Sequence, residues 1–252
     1  SDPSKWSSED GNTFLNDWDY EVWNGTYGGR YLLLKNYKGT NPNLVIPGYL
    51  NSRHGGLSVM MKGIGKSSPY YFLKNTNKSL LKSVRFVAVN NSKVGVITGQ
   101  SGADSMFEGA TNLETADLSG LIFSYVPNRN FTGINNCSKL FNNCSKLRSV
   151  TLPVCNTVTD CSYMFNNCSQ LDSINKTSDG WNEFQNFNTQ NVTNMSYMFA
   201  NTRIRYFPDH LNYSNVTDVS HMFEGCVSLR RASNDGSVQL NMPKGLDMSY
   251  MF

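Results

Sequence analysis

CSYMFNNCSQL (Cys161 to Leu171) and VSHMFEGCVSL (Val219 to Leu229) are two copies of one phrase, and their shared spacing decides the fold. Superposed on Phe165 and Phe223, the phrase recurs as ADSMFEGATNL from Ala103, CSKLFNNCSKL from Cys137 and MSYMFANTRI from Met195. Phe107, Phe141 and Phe199 thereby fall in the same position. Self-similarity at this interval marks a repeat architecture, in which each unit buries its apolar face only by stacking on its neighbours. A sixth copy opens at Met248 and reaches Phe252, so the chain is expected to be a fragment of a longer array.

Relative to each Phe, apolar or small residues stand four before, one before and three after, as in Cys161, Met164, Phe165 and Cys168. That i, i+3, i+4, i+7 stripe predicts a two-turn helix with one buried face. Thr159, Thr193 and Thr217, just upstream, are placed to cap the first amides of such helices. Beyond each Phe comes Leu113, Leu147, Leu171, Ile204 or Leu229, followed three residues later by Ala116, Val150, Ile174, Phe207 or Ala232. Leu113-Ala116-Leu118 and Leu147-Val150-Leu152 read LxxLxL, the spacing of a short strand that turns its last two apolar residues inward. Leu81-Val84-Phe86 adds an earlier strand, with Phe72 standing in for the missing MF pair. The first leucine positions lie 32, 34, 24, 33 and 25 residues apart, so insertions are expected in the loops that lead into each helix.

The expected fold is an α/β solenoid: a right-handed leucine-rich-repeat-like array of parallel short strands and short helices over residues 67–252. Residues 1–66 read as an N-terminal cap. There Trp18, Tyr20 and Trp23 precede the turn Asn24-Gly25, and Tyr31 to Leu34 and Leu44 to Gly48 follow, which predicts a β-hairpin or meander.

Composition excludes several functions. Charged residues make up 16% of the chain and the formal net charge is +3, too little for general attraction to nucleic acid or a membrane surface. No apolar run has the length of a membrane span, so no membrane insertion is expected. About one residue in eight is Asn, and Ala and Glu are scarce. No HExxH, GxSxG, P-loop or GxGxxG motif occurs, and the three histidines, His54, His210 and His221, pair with no nucleophile by motif, so neither catalysis nor a cofactor is expected. Of the six cysteines, Cys137, Cys144, Cys155, Cys161, Cys168 and Cys226, the pairs Cys137 and Cys144, and Cys161 and Cys168, repeat at C-x6-C on one helical face, too far apart to bridge and unlike a zinc motif. They read as buried free thiols filling small gaps. Asn24, Asn143, Asn167, Asn191 and Asn215 begin Asn-x-Ser/Thr triplets, most of which the repeat itself generates.

Strand alternation exposes mainly hydroxyls and amides: Ser83 and Arg85, Thr115 and Asp117, Ser149 and Thr151, Ser173 and Asn175, Tyr206 and Pro208, Arg231 and Ser233. The last rows differ, because Arg203, Arg205, Tyr206, Arg230 and Arg231 gather guanidiniums and an aromatic at one end. Such side chains carry interface energy and match carboxylate or sulfate, which makes this patch the candidate contact for an acidic protein or glycan. A rim of solvated charges is the alternative reading. Asp17, Asp19 and Glu21 supply carboxylates for a third possibility, a glycan-processing cap.

The phrases NVTNMSYMFANT from Asn191, NVTDVSHMFEGCVSL from Asn215 and TVTDCSYMFNNCSQL from Thr157 resemble the repeat of BspA-like leucine-rich-repeat surface proteins of bacteria, over about Leu81 to Phe252. The opening WDYEVWNG to YLLLKNYKGTNPNLVIPG resembles the strand pair that precedes such arrays. The resemblance implies a secreted protein on the bacterial cell surface, an adhesin that binds host extracellular matrix protein, mucin or acidic glycan. It implies no ligand residue, because the motif is the structural core. A structural stalk without a ligand of its own is the alternative role.

Overall fold

In the computed structural model, residues 1–25, 29–97, 99–124, 131–175, 184–208, 210–230 and 246–252 are described. The chain opens with a helix, α1 (Ser8–Asn16), that the hydrophobic pattern does not announce. Its start is a reciprocal cap: the Asp10 amide donates to Ser7 Oγ, and the Ser7 amide donates to the Asp10 carboxylate. The aromatic run then forms β1 (Trp18–Asn24), antiparallel to β2 (Arg30–Tyr37) as the Asn24-Gly25 turn predicts. The next strand, β3 (Asn43–Pro47), leaves this sheet. A second hairpin of β4 (Tyr49–Ser52) and β5 (Gly55–Met61) returns to it, with β5 parallel to β2.

Gly48 makes the exit possible. Its amide donates to Val87 O in the repeat sheet while its carbonyl accepts from Val59 in the cap sheet, and a Cβ there would lie 1.9 Å from Ser92 O. Only glycine lets backbone approach backbone this closely.

The repeat sheet is parallel throughout, in the order β3, β6 (Ser83–Val87), β8 (Thr115–Asp117), β9 (Ser149–Thr151) and β10 (Ser173–Ile174). The intervening β7 (Gly95–Val96) pairs with β5 of the cap, so the two sheets interlock across the stretch read as their boundary. Leu44, Val84, Ala116, Val150 and Ile174 are register partners in turn, and all are buried. This is the leucine-rich-repeat-like arrangement that the LxxLxL spacing predicts.

Behind the sheet, Phe107, Phe141, Phe165, Phe199 and Phe223 form one interior column. Successive rings stack at 5.6–5.8 Å between centroids, within 15° of parallel. Phe72 stands at its head, edge-on to Phe107 at 6.3 Å, as the sequence reading proposes. Leu113, Leu147 and Leu171 are fully buried beside the column, whereas Leu229 is only partly so. Long inserts contribute to the same core: Phe184 meets Phe199 edge-on at 6.0 Å.

The two-turn helix expected at each MF phrase does not form. Among the described residues no α-helix follows α1, and each phrase is a pair of turns. Two residues per phrase adopt the left-handed region: Lys139 and Asn143, Tyr163 and Asn167, Tyr197 and Asn201, with φ between +55° and +63°. Gly109 and Gly225 take the second position in the outer copies. A right-handed helix cannot contain such residues. The amides instead alternate between two partners. Those of Leu140, Asn142 and Cys144 close i→i−3 turns, while those of Lys139, Phe141 and Asn143 donate to the carbonyls of Ser162, Met164 and Asn166 in the next layer. Repetition of this ladder through each layer satisfies the backbone without a helix.

The cap assigned to threonine is also supplied differently. Asn136, Asp160, Asn194 and Asp218 accept the amide two residues on at 2.9–3.0 Å. Thr159, Thr193 and Thr217 donate their hydroxyls back to a carbonyl of the preceding layer.

All six cysteines are free thiols, five of them buried and Cys226 partly so. Cys144, Cys168 and Cys226 each donate Sγ–H to the carbonyl of the preceding repeat's Phe at 3.0–3.1 Å, so this column is a row of small weak donors as well as filler. Two of the triplet asparagines belong to a ladder: Asn167 Nδ2 donates to Asn143 Oδ1 at 2.8 Å, and Asn201 Nδ2 to Asn167 Oδ1 at 2.9 Å. Asn tolerates φ > 0 better than other residues with a Cβ. Asn167→Ala is therefore expected to cost about 1–2 kcal/mol in chemical denaturation, with Asn167→Gly between it and the parent. Equal stabilities for the two variants would mean that the backbone conformation contributes nothing.

Candidate functional site

The residue after the first leucine of each repeat points to solvent at the margin of the sheet. Backbone hydrogen bonds place these residues one above another: Glu114 N–H donates to Lys82 O, Arg148 to Glu114, Asp172 to Arg148, and Arg230 to Arg205. All six side chains, Lys82, Glu114, Arg148, Asp172, Arg205 and Arg230, are exposed. Taken in chain order their charges alternate through the first five, and Arg148 pairs with Glu114 at 3.3 Å. Among the described residues no such backbone bond joins Asp172 to Arg205, where the Arg203 amide donates to Leu171 O instead. Alternation fails at the sixth, where Arg205 is followed by Arg230. Among the described residues neither has a carboxylate within ion-pairing distance.

The structure thus brings Arg205 and Arg230 together, and separates them from the rest of the predicted patch. Arg203 turns back to the previous layer, its Nη1 donating to Gln170 Oε1 at 3.4 Å. Tyr206 is half-buried. Arg231 and Ser233 lie outside the described residues. Pro208, expected on the exposed face, is buried: among the described residues no strand runs through 204–208, so strand alternation does not decide which of these side chains face out. The exposed strand faces earlier in the array carry short side chains bonded locally, such as Ser83 Oγ to Asn43 and Ser119 to Asp117.

A second stripe runs along the turn side. Tyr163, Tyr197, His221 and Tyr250 stack in sequence at 4.5, 4.5 and 5.6 Å between centroids. Lys139 caps the row, its Nζ 5.8 Å from the Tyr163 centroid, and Glu224 pairs with His221. The sequence reading missed this stripe, although its signal is plain: an aromatic ring two residues before the Phe in consecutive copies. Stacking occupies most ring faces, so the row presents edges and hydroxyls outward.

The carboxylates of the cap do not form an acid–base pair. Asp17 caps the end of α1, while Asp19 and Glu21 pair with Lys38 at 3.3 Å and Lys35 at 3.4 Å. Hydrogen bonds from Lys38 and Asn36 hold the Asp19 carboxyl below its ordinary range, opposite to what a general acid requires. His54 accepts or donates a bond at 2.9 Å with the Tyr20 hydroxyl, which also accepts from Arg53. Among the described residues no three His, Cys, Asp or Glu side chains gather as metal ligands, and no helix is long and apolar enough to cross a membrane.

The family model described as "Mycoplasma protein of unknown function, DUF285" matches residues 100–181 and 135–252. No curated protein matches the sequence. Among solved structures, the chain is similar to a leucine-rich cell-surface protein from Faecalibacterium prausnitzii A2-165, with 16% identity and a TM-score of 0.42 over 85% of this chain and 53% of that one. It is also similar to a leucine-rich-repeat protein from Bacteroides ovatus ATCC 8483, with 13% identity and a TM-score of 0.25 over 85% and 69% of the two chains. The chain spans about half the length of the first of these.

Proposed function

The chain belongs to the DUF285 family, and from that premise we propose that it is a non-catalytic binding module of a bacterial cell-surface protein, an adhesin of the BspA-like kind. The observation that carries the reading is the break in the charge column. Earlier layers set opposite charges next to one another, Arg148 on Glu114 at 3.3 Å, whereas Arg230 follows Arg205 and leaves two exposed guanidiniums in successive layers. Each offers a planar fork of donors suited to carboxylate or sulfate. The partner is an acidic one: extracellular matrix protein, mucin or acidic glycan.

Binding of the chain to immobilised mucin and to fibronectin tests this reading. Arg205→Ser combined with Arg230→Ser is expected to weaken the interaction roughly tenfold at low salt, since each exposed pair contributes up to about 1 kcal/mol. The effect should shrink as ionic strength rises. Unchanged affinity and unchanged salt dependence would remove the patch from the reading. Retention of neither probe by the parent chain would favour a stalk, a role that the unbroken backbone ladder also suits.

A further inference from the structure

The loop of residues 66–78 crosses from the cap to the first repeat, and a cavity lies on each side of it. One, of about 540 Å³, is walled by Lys66, Lys74 and Lys78 with the hydroxyls of Ser68 and Thr76. The other, of about 510 Å³, is walled by Tyr20 and Tyr70 with the amides of Asn36 and Asn75, and by Asp19 and Lys35, which are paired with Lys38 and Glu21. Pro69, Tyr71 and Lys74 line both. Cavities of this size hold small ligands, and aromatic walls with a few amides suit a sugar ring.

The nearby carboxylates are already engaged. Glu108 pairs with Lys66 at 3.6 Å, and Asp104 accepts from the Ser67 amide and hydroxyl at 3.0 and 2.8 Å. Among the described residues Lys74 and Lys78 have no carboxylate within ion-pairing distance. Lys78 is half-buried against the Tyr71 ring, its Nζ 5.8 Å from the centroid, and burial together with the Lys66 charge pushes its ammonium below the usual lysine range. A half-buried cation beside another cation is stabilised by any anion that enters between them. Ser68 Oγ accepts from the Tyr70 amide, which leaves its own proton to donate.

We propose that this paired cleft binds a saccharide bearing a sulfate or phosphate ester, with the ester oxygens between Lys74 and Lys78 and the sugar ring in the tyrosine and asparagine cavity. The site is independent of Arg205 and Arg230. A sugar is favoured over a lipid headgroup because the second cavity offers rings and amides, and no apolar side chain larger than Tyr70 stands exposed beside it.

Calorimetric titration of the chain with galactose 6-sulfate, galactose, inorganic sulfate and phosphatidylglycerol vesicles tests the assignment. Galactose 6-sulfate is expected to bind at least tenfold more tightly than galactose. Lys74→Ala, at an exposed position that leaves the fold intact, should weaken it several-fold, and Lys74→Ala with Lys78→Ala at least tenfold. Tyr70→Ala should weaken the sulfated sugar but not inorganic sulfate. Arg205→Ser with Arg230→Ser should leave all of these values unchanged, which separates this site from the patch on the strand side. Equal binding of galactose and its sulfate, wild-type binding by the double lysine variant, or binding to the vesicles alone would overturn the proposal.

Discussion

Phe165→Ala is expected to lower the unfolding free energy by about 3–5 kcal/mol in urea denaturation. The ring is fully buried between Phe141 at 5.8 Å and Phe199 at 5.7 Å, and both neighbours are stacked on it. Its removal costs transfer energy, two ring contacts and a cavity. That cavity cannot readily collapse, because the Phe165 amide is bonded to Met198 O and Met164 O accepts from Phe141, which holds the layers at their spacing. Phe252→Ala supplies the contrast: that ring is 68% exposed at the end of the column and should cost less than about 1 kcal/mol. Similar losses at both positions would mean that the column is not the shared core.

Alkaline pH is expected to unfold the chain steeply. Burial pushes the thiols of Cys137, Cys161 and Cys168 well above the ordinary value of 9.0, and that of Cys144 to about 12. The folded chain therefore keeps these protons where the unfolded chain releases them. Stability is intact below about pH 9 and falls as pH rises toward the folded-state values, by about 1.4 kcal/mol per pH unit for each such thiol. Four thiols act together, and the phenols of Tyr71 and Tyr213, also raised by burial, join above pH 10. Denaturation midpoints between pH 8 and 10.5 should show the decline, and Cys161→Ala with Cys168→Ala should shallow it. A flat profile would contradict the burial of the thiols.

Most of the architecture was legible because periodic burial is a local pattern. The Phe spacing placed Phe107 to Phe223 in one column, and the LxxLxL spacing placed Val84, Ala116, Val150 and Ile174 inward on parallel strands. The candidate site was legible only in part. Arginine count pointed to one end of the array, but only the backbone hydrogen bond between layers showed that Arg205 lies next to Arg230 while Arg203 turns back to Gln170. The lysine cleft left no motif, since Lys66, Lys74 and Lys78 are ordinary loop residues until residues 66–78 fold back to bring them to one cavity. The membership of β3 in the repeat sheet was equally hidden, because Leu44 to Pro47 is an apolar β run that fits either sheet.

The helix forecast shows where local reading ends. The i, i+3, i+4, i+7 stripe buries the same side chains in a two-turn helix or in a double turn with two left-handed residues, so burial alone does not separate them. Gly109, Asn143, Asn167, Asn201 and Gly225, two residues after each Phe, were the local hint toward the double turn. By itself, then, the sequence determined the repeat period, the aromatic column and the inward face of each strand, since all three follow from which side chains avoid water. Tertiary structure alone decided turn over helix, the neighbours of each charge and the cleft beneath the cap. The first two depend on hydrogen-bond or charge partners in another layer, tens of residues away along the chain, and the cleft depends on how residues 66–78 fold back on themselves.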